Sequence, residues 1–179
     1  RMDFFVGFVG FIICLVMVYV PYSWKRTLDA HPYIHDITTD TLNPPDFVVV
    51  SGLRTAEHHS IDYDGLEVAE QQKKAYPDIK TIVVGDEPEV VLVEAADILT
   101  KMGLEIVGSD ADAGRIEATA TTLLYGFKDD VVVRISAGDA GTARVDVRSK
   151  SRVGKSDLGQ NAKRIRQFTD SLMLRFPKG

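Results

Sequence analysis

The chain has 179 residues, room for one domain of common size plus an appendage. Its 45% hydrophobic content excludes a disordered chain, and a net charge of −5 leaves no global basic field of the kind that draws nucleic acid. The one cysteine, Cys14, excludes an internal disulfide. The first element is the uncharged run FFVGFVGFIICLVMVYVPY, Phe4 to Tyr22. A bilayer core of about 30 Å needs about 20 helical residues, so the run is long enough to span. Tyr19, Tyr22 and Trp24 stand at one end, where aromatic residues favour the headgroup level, and Lys25 and Arg26 follow. Residues 1–24 are therefore expected to form a transmembrane helix.

Residues 25–46 read as an extended strap or linker, because Pro32, Pro44 and Pro45 forbid a continuous helix. An α+β domain is expected over 47–179. DFVVVSGL suggests a short strand, GLEVAEQQKKAYP a polar helix, and IKTIVVG a second strand. A helix follows over 87–102, with Asp86 as N-cap, Glu89 three residues on, and Gly103 just past its end. Strands are expected at 104–109, 115–125, 130–136 and 143–151, joined by turn-forming stretches. A last helix runs from Asp157 to about Leu174, with Ser156 as N-cap.

This order implies a two-layer sandwich, an antiparallel sheet with two helices on one face. Period-2 alternation turns Ile116, Ala118, Val131, Val133, Ile135, Val145 and Val147 toward those helices. It leaves Arg115, Glu117, Thr119, Arg134, Arg144, Asp146 and Arg148 on the other face. That face reads as a solvated ladder of ion pairs, with a docking surface as the alternative.

Three stretches share a wider pattern: HDITTD followed by NPPDF (35–47), GRIEATATTLLYGFKDDVVVRI (114–135) and SRVGKSDLGQNAKRIRQF (151–168). Together they resemble domain-of-unknown-function family 1499 over about residues 31–179. The resemblance implies a membrane-tethered bacterial protein with relatives in plastids and further membrane helices ahead of the domain. It supplies no activity.

The richest chemistry lies in HPYIHDITTDTLNPPDF. His31, His35, Asp36 and Asp40 are the residue types of a divalent metal site, and a metal-dependent hydrolase is one reading. The prolines remove the helix that would give His-x3-His its meaning, so a structural strap is favoured. In it His35, Asp36, Thr38, Thr39 and Asp40 bond nearby backbone groups and form an interface. A second candidate is the turn before the last helix, where Arg152, Lys155 and Ser156 are placed to bind an anion or lipid headgroup. A P-loop is not implied, because Ser149 stands where its first glycine belongs. Adjacent Asp129 and Asp130 offer a carboxylate pair but read as a solvated turn. No catalytic residue is assigned and no cofactor is implied.

The function expected is that of a non-catalytic accessory or scaffold subunit in a larger membrane complex, with lipids and other membrane proteins as partners. The charge count around the apolar run points to a cytoplasmic domain. The family's plastid relatives point to the periplasmic or lumenal side of the inner (cytoplasmic) membrane, which is the side expected here.

Overall fold

In the computed structural model residues 2–123 and 125–177 are described, and the chain divides into two compact units, Arg1–Pro32 and Tyr33–Gly179. The first is a helix, α1 (Met2–Ala30), which contains Pro21. Its segment Phe5–Arg26 has a mean hydropathy of 2.3 and is long and apolar enough to cross a membrane. The helix takes in residues 25–30, which the sequence had assigned to the extended strap. No proline lies between Pro21 and Pro32 to stop it earlier.

The second unit begins within the strap rather than at residue 47. Asp36–Thr38 forms a strand, β1, and the side chains of Ile34 and Ile37 enter the core. The elements that follow are α2 (Leu66–Ala75), β2 (Ile82–Val84), α3 (Pro88–Lys101), β3 (Glu105–Asp110), β4 (Arg115–Thr121), β5 (Lys128–Ala137), β6 (Ala143–Ser151) and α4 (Gln160–Arg175). They make an α+β fold. The sheet is antiparallel throughout, ordered β1-β6-β5-β4-β3. β1 and β2 lie end to end along the outer edge of β6, with Ile37 opposite Ser149 and Ile82 opposite Val145. Residues 46–53, expected as a strand, instead form a bend and a 3-10 turn, Val50–Leu53. Their backbone N–H groups turn to a carboxylate rather than to a neighbouring strand.

Helices α3 and α4 cover one face of the sheet. Val91, Ala95, Ile98 and Leu99 of α3 join Ile165, Phe168 and Leu172 of α4 over Ile116, Val131, Val133, Val145 and Val147. Each fully buried side chain of this size contributes about 1.5–3 kcal/mol relative to exposure. The cap of α3 is Glu87, one residue later than expected, and it makes no side-chain cap bond; the Asp86 carboxylate instead accepts the Glu87 N–H at 2.8 Å. Gly103 has φ +81, the left-handed value its place past the helix requires. α4 starts at Gln160, so Ser156 is not its cap. The Asp157 carboxylate accepts from the N–H groups of Gly159 and Asn161, at 2.9 and 2.7 Å.

The opposite face is not open. The segment from Asp40 to Asp64 lies across it, and Phe47, Val50 and Val132 form a second small core there. Gly108 permits this closeness at the sheet's far edge, where a Cβ would come within 2.7 Å of the Val49 side chain.

Candidate functional site

The alternating charges of β4, β5 and β6 sit on this covered face, where they pair with one another, with Asp36 of β1 and with segment 40–64. Asp36, Glu117, Asp130, Asp146, Arg148, Lys150 and Arg152 are all buried. Ions so placed must be paired and hydrogen-bonded, since an uncompensated buried charge costs several kcal/mol.

Each carboxylate anchors a separate cluster. Asp36 on β1 receives a two-pronged bond from Arg148 on β6, Nε at 2.9 Å and Nη2 at 2.8 Å. The Arg148 guanidinium also donates to the carbonyls of Pro45 and Ile61 and lies over the rings of Phe47 and Tyr63, 4.9 and 5.5 Å from their centroids. Lys150 Nζ bridges Asp36 at 3.2 Å and Asp64 at 2.7 Å. Asp130 on β5 receives Arg152 through Nε and Nη2, Arg54 through Nε at 2.9 Å, and the Thr119 hydroxyl. Glu117 on β4 accepts the N–H groups of Val48, Val49 and Val50 at 2.9–3.0 Å, which pins the covering segment to the sheet. Asp146 accepts the hydroxyls of Thr39 and Thr81 and a bond from Arg134 at 3.0 Å.

The strap residues bond partly to nearby backbone and partly to side chains of distant strands. Thr39 Oγ1 donates to Asp146 and accepts the Val147 N–H. Asp40 Oδ1 accepts the N–H groups of Leu42 and Asn43, closing a turn, while its other oxygen stands 3.4 Å from Arg134. The amide of Gln72 on α2 closes the free edge of β1: it accepts the Thr38 N–H at 3.0 Å and donates to the Thr38 carbonyl at 2.6 Å. Among the described residues no three His, Cys, Asp or Glu side chains are grouped as metal ligands. His31 belongs to the helical unit.

His35 is the strap residue with reactive surroundings. Its ring packs on His59 at 4.1 Å between centroids, and Nε2 stands 3.4 Å from Asp64 Oδ2 without a hydrogen-bond partner. Burial pushes its pKa below the usual imidazole value, and the nearby Asp64 carboxylate offsets that only in part. Tyr63 is close by, its buried hydroxyl also unpartnered and its pKa pushed up to about 12, chiefly by burial. His35 and Tyr63 thus both stand at the packed layer, where Lys150 and Arg148 hold the neighbouring carboxylates.

The expected anion site is corrected by the same geometry. The Arg152 guanidinium is bound to Asp130 within the network, so it does not face the turn. The free N–H groups at the start of α4 are taken by Asp157. Lys155 is exposed, and the Ser156 hydroxyl accepts the Leu158 N–H at 3.3 Å. Asp129 and Asp130 are not a solvated pair. They point to opposite sheet faces, Asp129 to Arg164 on α4 at 2.8 Å and Asp130 to Arg152 and Arg54. Sequence reasoning missed the partnership of Asp64 and Lys150 with the strap and of Arg54 with Asp130. Its one signal was the excess of charge at alternate positions of three strands, with PPDF ready to bring Phe47 over it.

The family profile described as "Protein of unknown function (DUF1499)" matches residues 36–172. A search of curated proteins returns no match. Among solved structures, an NMR structure of a protein from Thermobifida fusca is 11% identical, covers 52% of this chain and 83% of its own, and has a TM-score of 0.36. The Zhui aromatase/cyclase from Streptomyces sp. R1128 is 13% identical over 53% of this chain and 82% of its own, with a TM-score of 0.32. A protein from Thermus thermophilus, TTHA0849, is 12% identical over 53% and 89%, with a TM-score of 0.29. Nothing beyond that distant resemblance passes from these proteins to this chain.

Proposed function

The chain belongs to the DUF1499 family, described only as a protein of unknown function, and we propose that this member is a membrane-anchored, non-catalytic accessory domain of a larger membrane assembly. The observation that carries the reading is the closure of the polar network. The charged side chains that could have served chemistry are bonded to one another beneath segment 40–64. A catalytic constellation needs a reactive group within reach of a base and open to a substrate. Among the described residues the His35–Asp64 pair has no hydroxyl or thiol nucleophile bonded to it, and Cys14 lies in α1. A layer so locked is suited to presenting a fixed surface, and α1 supplies a segment able to hold that surface at a bilayer.

The test is the mass of the full chain extracted from its native membrane in mild detergent, with stoichiometry read by native mass spectrometry. The expected result is a complex with a second membrane protein in fixed ratio. A monodisperse monomer under every extraction condition overturns the reading.

A further inference from the structure

The turn joining β4 to β5 carries apolar side chains that nothing covers. Leu123 is 100% exposed, Tyr125 78% and Phe127 52%. The rings of Tyr125 and Phe127 stack at 5.7 Å between centroids. Val153 and Leu158, from the loop leading to α4, are also exposed and line a depression of about 370 Å³ together with Phe127 and Thr122. The turn is a built structure. The Thr122 N–H donates to the Phe127 carbonyl at 2.8 Å, and the Phe127 N–H donates to the Thr122 hydroxyl at 2.9 Å. The Gly126 N–H donates to the Thr122 carbonyl at 3.0 Å.

Two exposed lysines stand at this tip, and the carboxylates of Asp129 and Asp157 also line the depression. Lys128 follows Phe127 directly, and Lys155 lies between two residues that line the depression; both are exposed, and neither joins an ion pair among the described residues. The two backbone segments are tied by the Arg152 N–H to the Lys128 carbonyl at 3.0 Å. The nearby carboxylates are already engaged, Asp129 by Arg164 and Asp157 by the backbone at the start of α4. A net-acidic chain therefore presents, at one place, aromatic and aliphatic side chains beside two unpaired ammonium groups.

We propose that the tip formed by Leu123, Tyr125 and Phe127, with Val153 and Leu158 beside it, seats in the interfacial layer of an anionic lipid bilayer while Lys128 and Lys155 meet the headgroups. Aromatic side chains favour the headgroup level, apolar ones partition beneath it, and basic residues beside them gain from anionic lipid. An aqueous surface gives these side chains no such return. The inference rests on the reading of α1 as a membrane anchor, which holds the tip's own domain near a bilayer.

The experiment uses the full chain in vesicles of equimolar phosphatidylglycerol and phosphatidylcholine with brominated acyl chains, which quench indole fluorescence on contact. Trp24, the only tryptophan, reports on the anchor in the unaltered protein. The variant Trp24→Phe with Tyr125→Trp reports on the tip, and Trp24→Phe with Leu66→Trp reports on another exposed position, on α2. The expected result is quenching of Trp24, about twofold quenching at position 125, and little at position 66. Adding Lys128→Glu and Lys155→Glu, or using phosphatidylcholine alone, should abolish most of the quenching at 125. If Trp24 is not quenched, the anchor reading fails. If Trp24 is quenched while positions 125 and 66 behave alike, the anchor stands and the tip proposal is overturned. Protection of position 125 that appears only when a partner protein is added overturns it as well.

Discussion

Removing the Asp130 carboxylate tests whether the covered charge layer holds the domain together. Asp130 is fully buried and receives Arg152 through two bonds, Arg54 through one and Thr119 through one. In Asp130→Ala two guanidinium groups stay under segment 40–64 with no counter-charge between them. Breaking a buried pair by removing one partner costs about 3–5 kcal/mol, and here two cations are stranded by one change. Against a total stability of about 5–15 kcal/mol this is a fifth or more of the whole. Arg152→Ala should cost less, about 2 kcal/mol, because Arg54 still neutralises Asp130 and only the bonds of one charged donor are lost. The exposed pair Asp78–Arg166 is the control; Asp78→Ala should cost no more than about 1 kcal/mol. The assay is denaturant unfolding of the full chain in detergent, followed by far-ultraviolet circular dichroism, with all variants at one pH and salt concentration. A loss at Asp130→Ala no larger than at Asp78→Ala would refute the argument, because it would mean that the two arginines find water or other partners when the carboxylate is gone.

Two further outcomes follow from the same layer. Glu117→Gln replaces one acceptor oxygen by an NH2 group facing backbone donors, so it should cost about 1–3 kcal/mol and speed amide hydrogen exchange at Val48, Val49 and Val50; unchanged exchange there would show that the carboxylate does not pin the segment. The folded pKa of His35 is depressed by burial, with His59 and Lys150 adding to the fall and Asp64 and Asp36 opposing it. The unfolded chain then binds the proton more readily, so the stability this residue supports is full above its ordinary pKa of about 6.5 and is lost as pH falls through that value toward the folded one. Thermal midpoints measured from pH 8 to pH 5 should therefore fall, and His35→Gln should flatten the decline; an unaltered slope in that variant would rule out His35 as its source.

The local chemistry of the chain was largely legible in the sequence. The uncharged run defines α1, the 3.6 and 2.0 periodicities define α3, α4 and the four long strands, and Gly103 marks a helix end. Alternation placed Val131, Val133 and Ile135 toward the helices and Glu117, Arg134 and Asp146 away from them, where the structure has them. Near-misses came where two residues compete for one role. Gly159 stands at the cap of α4, and Asp157 rather than Ser156 accepts N–H groups there, because its carboxylate reaches two at once.

Whether the charged face is wet was decided elsewhere in the chain. A strand's pattern says which side chains share a face, but it carries no information on what lies over that face. The covering segment 40–64 carries only one short strand-like stretch, 46–53, which does not pair as a strand, and its hold on the sheet depends on pairings between residues far apart in sequence, such as Glu117 with Val48–Val50 and Arg148 with the carbonyls of Pro45 and Ile61. β1 was hidden for the same reason: three residues of a proline-flanked strap become a strand only because the edge of β6 is there to receive them and Gln72 closes their other side. Local propensity is a property of neighbours along the chain, whereas burial of an ion is a property of neighbours in space. The sequence therefore determined the elements and their faces, and the tertiary structure alone turned an apparently solvated ladder of charges into the buried layer of the domain.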